Sequence, residues 1–426
     1  MSDKLTAQKS ILPPIVVMGV FFAIFGFITW LNSVLIPYLK IACELSQTSQ
    51  YEQYLVTFAF FISYTIMALP ASFLLEKTGF KRGMVIGLVI IAVGCLTFIP
   101  AAQNRTFSIF LIGIFIQGAG LALLQTAVNP YVAVLGAPES AAQRISIMGI
   151  CNKLAGIIAP PLMGYILLKD TDKLEVSLKE LTRDLQVEKL QLLADKVILP
   201  YGILTVFILL IALLLYFIHL PEISLNKADE STKDTLNGTQ ESTKTSIFQF
   251  PSVFLGALAI FFYVGAEVIV GDTIITYAKQ IGFTAEQANF FPSLALVAML
   301  VGYVLAIFCI PKYISQEKSL IVCCVLGIFL MFGAVFLKGE MSIYALALLG
   351  LANSVMWPAI FPLGIAKLGK FTEKGSAIMI MGISGGAFLP LIYGVLATKY
   401  GLQAGYWVLL PCYLYILYFA VAGYKK

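Results

Sequence analysis

Charge is what this sequence has least of. Aspartate, glutamate, lysine and arginine make up 12% of the chain, while hydrophobic residues reach 59%. Soluble domains carry roughly a quarter charged residues, so a large soluble core is excluded and a polytopic membrane protein is expected. Histidine is nearly missing: His219 is the single one, at the inner end of an apolar run, where an interfacial residue needs no role. The seven cysteines are scattered, most of them inside apolar runs, and show neither a metal-ligand spacing nor a disulfide framework. The net charge of +5 comes from basic residues at the edges of apolar runs; they form no patch, which excludes nucleic acid as a partner. No catalytic constellation is visible, so neither an enzyme nor a cofactor is expected. The polar start with Lys4 and Lys9 leads into a span far longer than a signal-peptide core, so no cleavage is expected.

What the chain has in abundance is apolar runs of membrane-crossing length. They fall near 14–39, 53–75, 83–102, 107–136, 142–168 and 198–220, then near 250–278, 287–310, 319–337, 342–366, 376–398 and 402–424. Six and six is the count, which predicts an all-α membrane protein of two pseudo-symmetric six-helix bundles. The expected divisions are a first bundle over 1–220, a polar cytoplasmic linker over 221–247 and a second bundle over 248–426. Lysine and arginine gather in alternate loops. Lys77, Lys81, Arg82, Arg144, Lys312, Lys318, Lys367, Lys370 and Lys374 lie on one side, against Lys40, Arg105, Lys279, Lys338 and Lys399 on the other. By the positive-inside rule both termini face the cytoplasm of a cell inner membrane. One outer loop, 169–196, is long and charged, with Leu174, Leu178, Leu181 and Leu185 at helical spacing. It reads as an amphipathic surface helix, a solvated connector in the first instance and a lid over the outer mouth in the second.

Polar residues inside the runs mark a pathway, because polar groups do not face lipid without cost. In Gly26–Lys40, Thr29, Asn32 and Ser33 share one helix face. Shifted by 239 residues, this stretch overlays Val264–Lys279, with Gly26 on Gly265, Tyr38 on Tyr277, Lys40 on Lys279 and Ser33 on Asp272. A repeat of that kind marks a transporter built from two halves, with its site where they meet. Gln125 and Asn129 are one turn apart, and an amide both donates and accepts hydrogen bonds. Overlaying Pro130 on Pro358 sets Asn353 opposite Gln125, with Trp357 following on the same face. Trp357 and Trp30 are each read as either a stacking surface or packing, Trp30 as packing in the first instance. Lys153, about 15 Å along its helix, lies near mid-bilayer, where an ionisable group is normally paired; Glu267 is the expected partner. Glu267 and Asp272 can share a site only if Gly271 breaks their helix. The segment Ala155–Gly164 and its counterpart Gly385–Gly394 read as helix packing.

The loop Glu76–Arg82 resembles the acidic, basic, glycine, basic loop of the major facilitator superfamily, which implies helix ends locked by charge pairs. Together, GFITWLNSVLIPYLK (Gly26–Lys40), GLALLQTAVNPYVAVLG (Gly120–Gly136), ESAAQRISIMGICNKLAG (Glu139–Gly156) and FFYVGAEVIVGDTIITY (Phe261–Tyr277) resemble the fucose permease and glucose/galactose transporter family. The resemblance spans all but the loops at 169–197 and 221–247. It implies uptake of a hexose of the glucose or galactose type by alternating access, coupled to sodium or protons. The expected substrate residues are Asn32, Gln125, Asn129, Asn152, Lys153, Glu267, Asn353 and Trp357. Departures accompany the match: Ser33 and Gln125 stand where the fucose branch has acids, and Ile114 stands where the superfamily has an arginine. Proton coupling by that route is therefore not expected, and sodium is expected in preference to a proton. Asp272, the repeat counterpart of Ser33, is the expected coupling group with Glu267, and Asp272 with Thr273 the expected sodium site. An uncoupled hexose uniporter is the alternative; a drug exporter and a sugar sensor are further ones. The lipid bilayer is the one expected partner beyond solutes, around a monomer.

Overall fold

The structure, a computed structural model, describes residues 14–45, 52–134, 141–178, 180–218, 246–310, 313–365, 368 and 371–426. His219, the linker over 221–245 and the basic residues Lys312, Lys367 and Lys370 lie outside the described residues. Among the described residues, eleven helices are long and apolar enough to cross a membrane, and the shorter apolar helix Leu55–Met67 marks one more crossing. Numbered in chain order, the spans are α1 (Pro14–Ala42), α2 (55–78), α3 (80–103), α4 (Phe107–Val134), α5 (Ala141–Leu167) and α6 (Ile198–Phe217). The second set is α7 (Pro251–Gln280), α8 (Ala285–Cys309), α9 (Gln316–Phe336), α10 (Glu340–Ile365), α11 (Lys374–Tyr400) and α12 (Leu402–Lys425).

Lipid offers no hydrogen bonds to a backbone, so long apolar runs close their bonds internally as helices. Their outer faces are apolar in a way water would not tolerate: Phe217 is 72% and Phe329 73% exposed. α2 and α3 form one helical run that changes direction at Gly79, whose φ of 75° suits a residue without a Cβ. The side chain of Glu76, the acid of the expected charge-pair lock, lies outside the described residues. Lys81 donates to the carbonyl of Tyr216 at 2.9 Å, capping the end of α6.

The even number of crossings puts both chain ends on one face, the terminal face, opposite a distal face. α1 packs on α5 within the first bundle, and the two bundles meet along α1 with α7, α2 with α11, and α5 with α8. This seam is closed in its distal half. Trp30 fills the space that the missing side chain of Gly271 leaves open, Tyr54 and Tyr393 meet edge-on at 5.7 Å, and Ser293 donates to the Ile157 carbonyl at 2.7 Å. Gly156 and Gly164 lie against Leu296 and Asn289 across the same seam, as small residues do where membrane helices approach closely.

The distal loop differs from expectation. In place of one amphipathic helix there are two, Thr171–Leu178 and Arg183–Asp195. The chain runs extended at Thr182, which resets the phase of the second helix. Leu185 is therefore 44% exposed, and Leu190, Leu193 and Ala194 form the buried face instead.

Candidate functional site

Below the closed half of the seam lies a cavity of about 140 Å³, lined by α1, α2, α4 and α5 from one bundle and by α7, α8, α10 and Ile383 of α11 from the other. Its lining extends through Phe22, Gly149 and Asn129, all in the terminal halves of their helices, so the cavity reaches toward the terminal face. The span α1 contributes Phe22, Phe25, Thr29 and Trp30, a run near helical spacing that puts aromatic and hydroxyl groups on one stripe.

The polar lining is mostly amide. Gln125 donates through Nε2 to the Tyr64 hydroxyl at 2.9 Å, one of the four bonds that an amide can make. Asn152 donates through Nδ2 to the Phe22 carbonyl at 3.2 Å, tying α5 to α1, and Asn129 lines the wall one turn from Gln125. Lys153 and Glu267 form an ion pair with Nζ and Oε1 2.5 Å apart, their side chains 9% and 13% exposed. Each comes from a different bundle, so the pair bridges the seam at cavity level. The Trp30 ring lies 5.3 Å from the same ammonium, within cation–π range. Trp357 lines the opposite wall, stacked on Phe361 at 5.7 Å and 18°.

Of the residues expected from sequence, Gln125, Asn129, Asn152, Lys153, Glu267 and Trp357 come together here. Three others do not. Asn32 is 2% exposed and its Nδ2 has no partner; it lies distal to Trp30 and is absent from the cavity lining. Asn353 is buried and accepts from the Tyr413 hydroxyl at 3.0 Å, inside the second bundle. α10 lapses into a turn at Ser354 and Val355, so Asn353 and Trp357 no longer share a face. Asp272 is absent from the cavity lining: α7 runs unbroken through Gly271, which separates it from Glu267.

Asp272 is held elsewhere. It is 3% exposed and accepts from the Thr57 hydroxyl of α2 at 2.5 Å, across the seam. Thr273 does not join it as a ligand, since its hydroxyl meets the Ile269 carbonyl at 2.7 Å and the Tyr406 hydroxyl at 2.9 Å. Among the described residues no group of three or more histidine, cysteine, aspartate or glutamate side chains could hold a metal ion.

The aromatic walls, Phe22, Phe25, Phe61, Tyr64, Tyr263 and Tyr303, were not expected from sequence, and Trp30, expected to pack in the first instance, lines the cavity beside them. Aromatic residues in lipid-length helices look the same whether they face lipid or a cavity. The available signal was their spacing: Phe22, Phe25 and Thr29 recur on the turn, as do Phe61 and Tyr64.

Two six-span bundles around a midplane cavity define a membrane transporter of the two-bundle kind, and the geometry offers binding groups without reactive ones. The Major Facilitator Superfamily model matches residues 17–388, and the chain belongs to that family, whose members are transporters and not enzymes. Over 412 residues it is 33% identical to the glucose/galactose transporter of Brucella abortus biovar 1 (strain 9-941), covering 95% of this chain and 92% of that one. It is 35% identical to the putative glucose/galactose transporter of Helicobacter pylori (strain ATCC 700392 / 26695), covering 95% of each. It is 28% identical to the L-fucose-proton symporter of Escherichia coli (strain K12), covering 94% and 90%. Among solved structures it is similar to the transporter FucP in the outward conformation, with a TM-score of 0.73 and 26% identity, over 97% of this chain and 99% of that one.

Proposed function

We propose that the chain takes up a hexose of the glucose or galactose type across the cell inner membrane, by alternating access of the two bundles around this cavity. The observation that carries the reading is the cavity's composition. Gln125, Asn129 and Asn152 supply groups that donate and accept, as sugar hydroxyls require, and Trp30, Trp357 and the tyrosines offer flat apolar faces for a pyranose ring. The similarity to the glucose/galactose transporters over nearly the whole chain supports the same substrate class. In this reading the terminal face is cytoplasmic, as the lysine and arginine bias favours, so the state described is closed outward with its cavity toward the cytoplasm. Counterflow of labelled glucose, galactose and fucose in proteoliposomes tests the substrate. Counterflow by glucose or galactose is expected, and none by any hexose would contradict the reading.

Uptake is read as cation-coupled through Asp272. Its bond to Thr57 crosses the seam, so it forms only when the distal half closes. An unpaired charge is costly to bury, which makes closure favourable once the carboxyl has bound a cation. That dependence is what couples an ion to a transport step. A proton needs no further ligands, whereas sodium needs several oxygens and Thr273 is engaged elsewhere; the ion is therefore taken as a proton, in place of the sodium expected from sequence. Asp272→Asn is expected to abolish accumulation against a gradient while sparing exchange. Uphill uptake by that variant would sink the coupling role. An uncoupled uniporter is the second reading, favoured by Ser33 and Gln125, which cannot titrate near neutral pH.

A further inference from the structure

The distal insert between α5 and α6 touches both bundles, in two different ways. On the first bundle it is fixed by burial and by bonds to backbone. Leu190, Leu193 and Ala194 are buried, the Tyr38 hydroxyl lies 2.8 Å from the Ala194 carbonyl, and Gln191 donates to the Ala102 carbonyl at 3.1 Å. Arg183 adds an ion pair with Glu44 at 2.5 Å. On the second bundle the grip is made by two carboxylates of the helix Thr171–Leu178. Asp172 and Glu175 each lie 3.2 Å from the Lys279 ammonium, and Asp172 also accepts from the backbone N–H of Ala285 at 2.7 Å.

The internal repeat explains why acids are needed at that place. Lys40 and Lys279 hold matching positions at the distal ends of α1 and α7, and both line one cavity of about 390 Å³ with Glu175. Closing the distal half of the seam brings these two like charges to a shared mouth, where they oppose closure. The acids of the insert supply the compensating charge.

We propose that the insert is a strap: welded to the first bundle through Arg183–Asp195, it latches the second bundle through Asp172 and Glu175 on Lys279, and it releases Lys279 whenever the distal mouth opens. The asymmetry of the contacts suits that task. A buried apolar anchor persists, while partly exposed ion pairs are individually weak and exchange readily; Lys279 is 23% exposed and its two partners 42% and 40%. The proposal rests on reading the chain as an alternating-access carrier, but neither the latch nor its test involves a sugar.

The test uses the full chain in liposomes, with the seven native cysteines replaced and Thr276→Cys introduced. Thr276 lines the same distal cavity, and its hydroxyl is buried without a partner. A membrane-impermeant maleimide added on the distal side reads how often the mouth opens. Lys279→Gln, and separately Asp172→Asn with Glu175→Gln, are expected to raise the labelling rate roughly three- to tenfold, the scale of two partly exposed ion pairs. The reversed set, Lys279→Glu with Asp172→Lys and Glu175→Lys, is expected to lower it below both neutralised variants without reaching the parent rate, since a lysine cannot accept from the Ala285 N–H. Labelling that stays at the parent rate in both neutralised variants, or that the reversed set does not lower below theirs, overturns the strap. Failure of every hexose in counterflow would leave this result standing, so the two readings fail separately.

Discussion

Gln125 shows what one side chain in the cavity contributes. It lies beside Asn129 with one amide bond spent on Tyr64, and Gln125→Ala is expected to weaken hexose binding by about 1–3 kcal/mol, the cost of a hydroxyl left unpaired; titration calorimetry on the folded variant checks this. The pair Lys153–Glu267 makes a sharper prediction. Removing one partner of a buried pair costs about 3–5 kcal/mol, whereas removing both can be nearly neutral. Lys153→Ala and Glu267→Gln should each lower thermal stability strongly, and the double variant should regain most of it. Independent losses that simply add would mean that the two charges are not coupled. A third residue acts at the distal surface, where the hydrogen bond from Arg183, aided by Arg105, holds Glu44 below the usual carboxylate range. Such a group stabilises the fold above the ordinary glutamate value, about 4.3, and loses that contribution as pH falls through its depressed value. Glu44→Gln should therefore flatten the acid side of a melting-temperature profile, and an unchanged profile would remove Glu44 from the account. Lys153 was legible in the sequence because an ion at mid-bilayer must be paired. Asn32 and Asn353 were not, since residue type and spacing say which face a side chain shares but neither how deeply it is buried nor, for Asn353, that Tyr413 of the same bundle would take it.

At the scale of the element, helix continuity decides which residues meet. α7 stays unbroken at Gly271, and the missing Cβ there admits the Trp30 indole from the other bundle. Gly271→Leu would overpack that contact, a change that typically costs about 1–3 kcal/mol. It is expected to hold the distal half of the seam open, seen as faster maleimide labelling at Thr276→Cys; unchanged labelling would show that the contact does not govern closure. α10 behaves oppositely, lapsing at Ser354 and Val355 and turning Asn353 away from the cavity that Trp357 faces. The spans themselves were readable, because twenty apolar residues in a row leave few alternatives in lipid. The lapse in α10 and the extended residue at Thr182 went unread although each has a local cause: Pro358 offers no N–H to the Ser354 carbonyl, and Thr182 takes the extended backbone of an N-cap. The leucine pattern over 174–185 accordingly predicted one surface helix where two exist.

For the whole molecule, two six-span bundles were readable from the count of apolar runs and the overlay of Gly26–Lys40 on Val264–Lys279. Which half of the seam is closed was not, because that depends on contacts between residues such as Tyr54 and Tyr393 or Thr57 and Asp272, far apart in the chain. In the proposed function, the closed distal half, the cavity beneath it and the carboxyl within the seam are one station of a cycle that moves a hexose with a cation. The most direct measurement is uptake of labelled glucose or galactose into proteoliposomes under an imposed proton gradient, a sodium gradient or neither. Accumulation above the outside concentration under the proton gradient, abolished by Asp272→Asn, is the expected result. Equilibration to the outside concentration and no further under all three conditions would contradict coupled transport, and no uptake of any hexose would contradict the account at its centre.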